Sequence, residues 1–168
     1  LSIVDPPYKC ISGGKSLDEN GIKKKGTPSG ILSKNDGKIF ENNNIKCSEW
    51  IPELFRVLKD DTDCYIMTNL INMTEYLNVC KNSGFKLHNL LIWEKNNCTP
   101  SRWYMKNCEY VIYLYKGNAK PINNHGSKTV HKFNNIIKTK NHPTEKPTEL
   151  MEFYILNSSR KGDIVMDS

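Results

Sequence analysis

Apolar residues along this chain gather into short runs separated by long polar stretches. Leu1-Ser2-Ile3-Val4 is stopped by Asp5-Pro6-Pro7, the pattern of an interior strand reaching its carboxyl end. Leu54, Phe55 and Leu58, preceded by Trp50 or Ile51, recur at helical spacing, with Pro52 tolerable only in a first turn. Cys64-Tyr65-Ile66-Met67 predicts a second strand. Met73, Tyr76, Leu77 and Cys80 predict one face of a helix closed by Gly84. Residues 87–93 and 110–115 predict two further strands, the second ended by Gly117. Pro147 suits the first turn of a helix with the face Leu150, Met151, Tyr154 and Ile155. Ile164-Val165-Met166 predicts a last strand, which stops at Asp167-Ser168.

This alternation predicts an α/β fold of three layers with a mostly parallel sheet. Only residues 94–109 separate the third and fourth strands, with no helical pattern among them. Those two strands are therefore expected as an antiparallel pair at one sheet edge. Ligands of such sheets bind outside the carboxyl ends of the strands, which places Asp5 and Asp167 on the functional rim. Two segments resist regular assignment. Residues 9–46, rich in Gly, Lys, Asn and Ser, read as a long flexible insert, and residues 117–141 are polar and poorly periodic. A chain that opens directly on a core strand is expected to follow further sequence.

The 168 residues, 38% of them hydrophobic, make one domain of ordinary size rather than a disordered polyelectrolyte. No run approaches the roughly 20 apolar residues that span a bilayer, so a membrane location is not expected. The six cysteines form no CxxC pair, and Cys64 and Cys80 sit inside apolar patterns, as free thiols of a reducing, cytoplasmic compartment would. His88, His125, His131 and His142 lack metal-ligand spacing, and no metal is expected. The charge is +6, from 24 Lys and Arg against 18 Asp and Glu. It is carried almost wholly by lysine and permits a polyanionic partner. Lys23-Lys24-Lys25 and, later, Lys138 and Lys140 are candidates for phosphate contact, with solvated loops as the competing reading.

Asp5-Pro6-Pro7-Tyr8 is the sharpest local signal. Consecutive prolines hold the backbone extended past the strand, so the Asp5 carboxylate and Pro6 carbonyl project in one fixed arrangement. Two fixed acceptors suit the two N–H groups of a planar amine, and Tyr8 adds a face for stacking. The bland alternative is a strand terminator with a half-buried tyrosine.

The same four residues resemble the catalytic motif of S-adenosylmethionine-dependent DNA methyltransferases that modify exocyclic amines. Further pieces appear in that family's order: Arg56-Val57-Leu58-Lys59 before the second strand, Ile92-Trp93-Glu94-Lys95, and His142-Pro143-Thr144-Glu145-Lys146-Pro147. The chain then closes on Gly162-Asp163-Ile164-Val165-Met166-Asp167-Ser168, similar to the strand entering the family's cofactor loop. Catalytic motif first and cofactor strand last is the circularly permuted arrangement called the beta class. The resemblance implies a Rossmann-like methyltransferase fold and S-adenosyl-L-methionine as cofactor. It makes Asp5, Pro6, Pro7 and Tyr8 the catalytic residues, with Tyr8 stacking on an extruded base. It implies that Asp5, His142, Thr144, Lys146, Pro147, Asp167 and Ser168 line the cofactor.

Family members with aspartate at the first motif position mostly methylate adenine at N6, which makes double-stranded DNA the expected partner. N4 of cytosine is the alternative base, and a non-catalytic DNA-binding module the alternative function. The family's Phe-x-Gly-x-Gly loop does not follow Ser168, so the sequence is expected to be the N-terminal portion of a catalytic domain, truncated after the cofactor strand. Residues 117–141 are too few for a separate recognition domain. Base reading is expected from residues 9–46, from 117–141 as a short target-recognition segment, from a C-terminal part, or from the second subunit of a homodimer.

Overall fold

A computed structural model describes residues 1–7, 20, 45–99, 103–136 and 145–167. Among them the elements are β1 (Ser2–Val4), α1 (Cys47–Val57), β2 (Thr62–Thr68), α2 (Leu70–Ser83), β3 (Lys86–Thr99), β4 (Lys106–Lys116), β5 (Val130–Lys132), α3 (Thr148–Ser158) and β6 (Met166–Asp167). The strands form one sheet in the order β5-β3-β4-β2-β1-β6. β1 runs parallel to β2 and β6, and β5 parallel to β3. β4 is antiparallel to both of its neighbours, β2 and β3. All the other strands therefore point one way, and β4 alone is reversed.

Alternation of side chains divides the sheet between two cores. Val4, Cys64, Ile66, Ile112 and Leu114 face one side, where α1 and α2 supply Ile51, Leu54, Met73, Tyr76 and Cys80. Ile3, Tyr65, Met67, Val111 and Tyr113 face the other, covered by Leu150 and Tyr154 of α3. The three layers expected from the sequence are present. Cys64 and Cys80 are buried free thiols packed as small hydrophobes.

Local chemistry sets the ends of the helices. The Asn69 side chain accepts from the backbone N–H of Ile71 and Asn72 at 3.1 and 3.2 Å and caps α2. Gly84 closes the same helix at φ 104°, and a Cβ there would meet the Phe55 ring at 2.8 Å. α1 begins at Cys47, three residues before Trp50, because Glu49 Oε1 accepts from the Lys46 backbone N–H at 3.0 Å. Pro52 consequently lies inside the helix rather than in its first turn.

Two features depart from the pattern read in the sequence. The third and fourth strands do form an antiparallel hairpin, but β5 adds a three-residue strand outside it, pairing residues 130–132 with 92–94. This strand comes from the segment read as irregular. Its alternation, Val130 and Lys132 exposed around buried His131, is too short to see as a period. β3 also carries an extra residue, His88, between Leu87 opposite Leu114 and Asn89 opposite Tyr113. Its ring stacks on Tyr113 with centroids 4.6 Å apart. Most of the long insert, 8–19 and 21–44, lies outside the described residues. Among the described residues no helix is long and apolar enough to cross a membrane.

Candidate active site

Parallel pairing sets Ser2 beside Met166 and Ile3 beside Asp167, so Asp5 and Asp167 share one sheet edge, with Asp5 two residues further out. Asp167 is exposed there, Pro6 is buried, and Asp5 and Pro7 are half-buried. The prolines carry the backbone away without offering an N–H, which ends β1 at Val4 and leaves Asp5 at the rim.

Lys146, in the lead-in to α3, meets Asp5 there. Its Nζ lies 3.0 Å from Asp5 Oδ2, with the side chain only 8% exposed. The same ammonium is 3.6 Å from Oε2 of Glu109 on β4, and Lys95 Nζ of β3 lies 2.9 Å from Glu109 Oε1. Charges thus alternate along Lys95–Glu109–Lys146–Asp5. Burial by itself would raise the Glu109 carboxyl, but the Lys146 and Lys95 ammoniums outweigh it and hold it below the usual carboxylate range. Four segments distant in sequence are joined here by charge.

Pro147 is buried next to Lys146, and its carbonyl accepts from the N–H groups of Leu150 and Met151 in the first turn of α3. Trp93, at 1% exposure, donates its indole N–H to the Phe133 carbonyl at 2.8 Å and is a core residue.

At the opposite end of the α3 face a second polar network is buried. Tyr113 and Ser158 both donate to Asp63 Oδ2, at 3.0 and 2.6 Å, so the 2.7 Å contact of Ser158 Oγ with Tyr65 is donated by the phenol. Burial pushes the Tyr65 phenol up to about 12. His131 bonds the Lys128 carbonyl at 2.8 Å and the Tyr154 hydroxyl at 3.0 Å, and burial lowers its pKa, partly offset by that carbonyl. A cavity of about 140 Å³ lies among Tyr65, Tyr113, His131 and Tyr154. Residues 117–133 cover it, tied to the end of α3 by Asn123, which donates to the carbonyls of Leu156 and Ser159.

Of the residues singled out in the sequence, Asp5, Pro6, Lys146, Pro147 and Asp167 come together at one edge. Tyr8, His142, Thr144, Ser168, Lys23, Lys24, Lys25, Lys138 and Lys140 lie outside the described residues. The direct Asp5–Lys146 pair was not anticipated, nor were Glu109 and Lys95. The available signals were an acidic residue opening the apolar run 110–114 and a lysine closing Ile92-Trp93-Glu94-Lys95. Among the described residues no cluster of three or more His, Cys, Asp or Glu is placed to hold a metal.

Comparison with known proteins adds to this geometry. The N6/N4 methyltransferase family model, described as DNA methylase, matches residues 1–168. Type II methyltransferase M2.MboI of Moraxella bovis is 26% identical over 194 residues, covering 99% of this chain and 66% of that protein. Type II methyltransferase M2.DpnII of Streptococcus pneumoniae is 25% identical over 186 residues, covering 99% and 68%. The chain therefore spans about two thirds of the length of these relatives. The structure of M1.HpyAVI in complex with SAM superposes with a TM-score of 0.64 at 22% identity, covering 99% of this chain and 69% of that one. A DNA modification methylase of Thermus thermophilus matches with a TM-score of 0.54 at 18% identity, covering 71% and 60%. At these identities the solved structures speak for the fold.

Proposed function

Since the chain belongs to the N6/N4 DNA methylase family, we propose that it forms the base-binding part of an S-adenosylmethionine-dependent enzyme that methylates N6 of adenine at specific sites in double-stranded DNA. The observation that carries this reading is Asp5, held at the sheet edge by Lys146 beside the buried Pro6. The donor set fits the cofactor's charged end: Asp167 is an exposed carboxylate on the adjacent strand, suited to a methionyl ammonium. His142, Thr144, Pro147 and Ser168 complete that contact in this reading.

S-adenosylmethionine, when bound, supplies an electrophilic methyl group on a sulfonium. Asp5 and the Pro6 carbonyl accept hydrogen bonds from the target amine and turn its lone pair toward that methyl. The cofactor would supply the methyl and take up the bonding pair on sulfur, while Asp5 and the Pro6 carbonyl would hold the amine as it becomes positive, until its extra proton passes to water. No covalent bond to the protein is needed, so fixed position and charge supply the catalysis. Tyr8 stacks on the flipped base; Tyr8→Ala is expected to lose about 1–3 kcal/mol, shared between base holding and chemistry, while Tyr8→Phe keeps the ring and is mild. DNA reading falls to residues 9–46 and 117–141, to sequence outside this chain, or to a second copy in a homodimer. Lys23, Lys24, Lys25, Lys138 and Lys140 contribute phosphate contacts.

The test is methylation of duplex oligonucleotides by the full-length protein, with mass spectrometry of the digested nucleosides. N6-methyladenine is expected. N4-methylcytosine alone overturns the choice of base, and no methylated base at all overturns the enzyme.

A further inference from the structure

We propose that Glu109 and Lys95 are positioning residues for methyl transfer, completing an ion chain Lys95–Glu109–Lys146–Asp5 that fixes the Asp5 carboxylate beside the target amine and divides the Lys146 charge between two carboxylates. This inference rests on the methyltransferase reading above.

The charge count is the first argument. Lys146 lies 3.0 Å from Asp5, and alone it would neutralise the carboxylate that has to meet a nitrogen becoming positive. Glu109 shares that ammonium at 3.6 Å and is itself paired with Lys95, so the four charges balance and Lys146 is divided between two carboxylates rather than given wholly to Asp5. The second argument is geometric. Glu109 Oε2 is shielded from solvent, and the 3.6 Å separation from Lys146 is too long for a hydrogen bond. Its pull on Lys146 is mainly Coulombic, and the shorter contact of Lys146 is with Asp5. Lys95 secures this division by holding the other oxygen, Oε1, at 2.9 Å. Without Lys95, Glu109 is free to turn, take a hydrogen bond from Lys146 and draw it off Asp5. That Glu109 stays charged although half-buried agrees with two cations facing it.

Other groups around Asp5 bear on its titration. Asp167 lies on the adjacent strand two residues short of it. Tyr76 of α2 feels the Asp5 charge, behind burial and the charges of Cys47, Glu75 and Cys80, and its phenol is pushed up. The exposed Lys132–Glu94 pair stands outside, on β5 and β3.

Two readouts on the full-length protein test the chain. The first follows the Asp5 carboxyl by carbon-13 NMR across pH, with neither DNA nor cofactor present. Lys146→Met should raise its midpoint, because a cation is lost and the Glu109 anion remains. Glu109→Gln should lower it, because the anion that competes with Asp5 for Lys146 is lost. Lys95→Met should raise it by less than Lys146→Met. The second readout is the single-turnover methylation rate at saturating DNA and cofactor. Glu109→Gln should cost about ten- to hundredfold, as supporting groups around a reacting centre typically do. Lys95→Met should cost severalfold, and Lys95→Arg should restore most of the rate. The acid limb of the pH–rate profile should move in the same direction as the NMR midpoint.

An unchanged Asp5 midpoint in Glu109→Gln, or Lys95→Arg as slow as Lys95→Met, would overturn the proposal. If Glu109→Gln does not fold, the Lys95 pair decides by the same two measurements. If the wild-type protein methylates no DNA, the functional reading fails, and the Asp5 titration still decides whether the chain holds the carboxylate.

Discussion

The face of the sheet covered by α3 carries a polar network at each end, and the two are built differently. At the base, one carboxylate, Asp63, accepts from Tyr113 and Ser158, Ser158 accepts from Tyr65, and His131 joins Tyr154. At the rim, two carboxylates and two ammoniums alternate, and Glu109 Oε2 has no hydrogen-bond donor among the described residues. Mutually satisfied hydroxyls lock a helix onto a sheet, because each group would cost free energy if left alone in the interior. A row of charges with an unfilled acceptor is costly to bury, and it serves a site where charge changes during a reaction. In the proposed reading the base holds the scaffold, and the rim holds the chemistry.

The strongest way to break this contrast is Asp5→Ala in the full-length protein. Single-turnover methyl transfer should fall about a hundredfold to a thousandfold, roughly 3–4 kcal/mol, as for deleted oxyanion-hole donors. DNA and cofactor affinities should stay within a few fold. Retention of most of the rate would remove Asp5 from the chemistry. Asp63→Ala should do the opposite: a stability loss of about 1–3 kcal/mol in urea unfolding, from two hydroxyls left without their acceptor, with the rate of the folded protein nearly intact. Equal effects of the two substitutions on rate would erase the distinction.

Acidity separates the two ends more gently. Burial lowers His131 below its ordinary 6.5, so the unfolded chain takes up that proton first. Stability from this group is full above pH 6.5 and declines as pH falls toward the folded value. Glu109, held low by Lys146 and Lys95 against burial, acts later: its contribution is full above the ordinary 4.5 and is lost as pH falls through its folded value. Unfolding midpoints followed down in pH should show a first loss that vanishes in His131→Gln and a later one that vanishes in Glu109→Gln. A first loss that survives His131→Gln would place that proton elsewhere.

What could be read in the sequence follows from how local each signal is. The strand–proline junction at Val4 to Pro7, the face of α2 and the turn at Gly84 depend on neighbouring residues, and each was legible. The sequence placed Asp5 and Asp167 on one functional rim, but the parallel pairing of β1 with β6 comes from the structure, because nothing within either strand names its partner. Glu109 and Lys95 escaped attention because their meaning lies in pairing. Trp93 stands opposite Glu109 in the hairpin, and that register brings Lys95 to Glu109, which in turn lies within reach of Lys146. β5 was missed because three residues are less than a period. The earlier start of α1 rests on Cys47, a thiol buried on the same face as Ile51, Leu54 and Leu58, which reads as part of the apolar repeat only when cysteine is counted as a hydrophobe.

The pairing of residues 1–3 with 164–167 has a consequence for how the molecule assembles. Leu1 N and Ile164 O meet across 163 residues, whereas β3 and β4 join through a hairpin only a few residues long. Closing a loop costs entropy before its contacts return anything, so the hairpin is set to form early and the β1–β6 seam late. Substitutions at Met166 should therefore speed unfolding and leave the folding rate nearly unchanged, while substitutions at Ile112 should slow folding. A Met166 variant that folds slowly would put the seam in the nucleus instead. On this order the rim carrying Asp5 and Asp167 is completed last, and a chain caught partway has a formed sheet centre with no working edge.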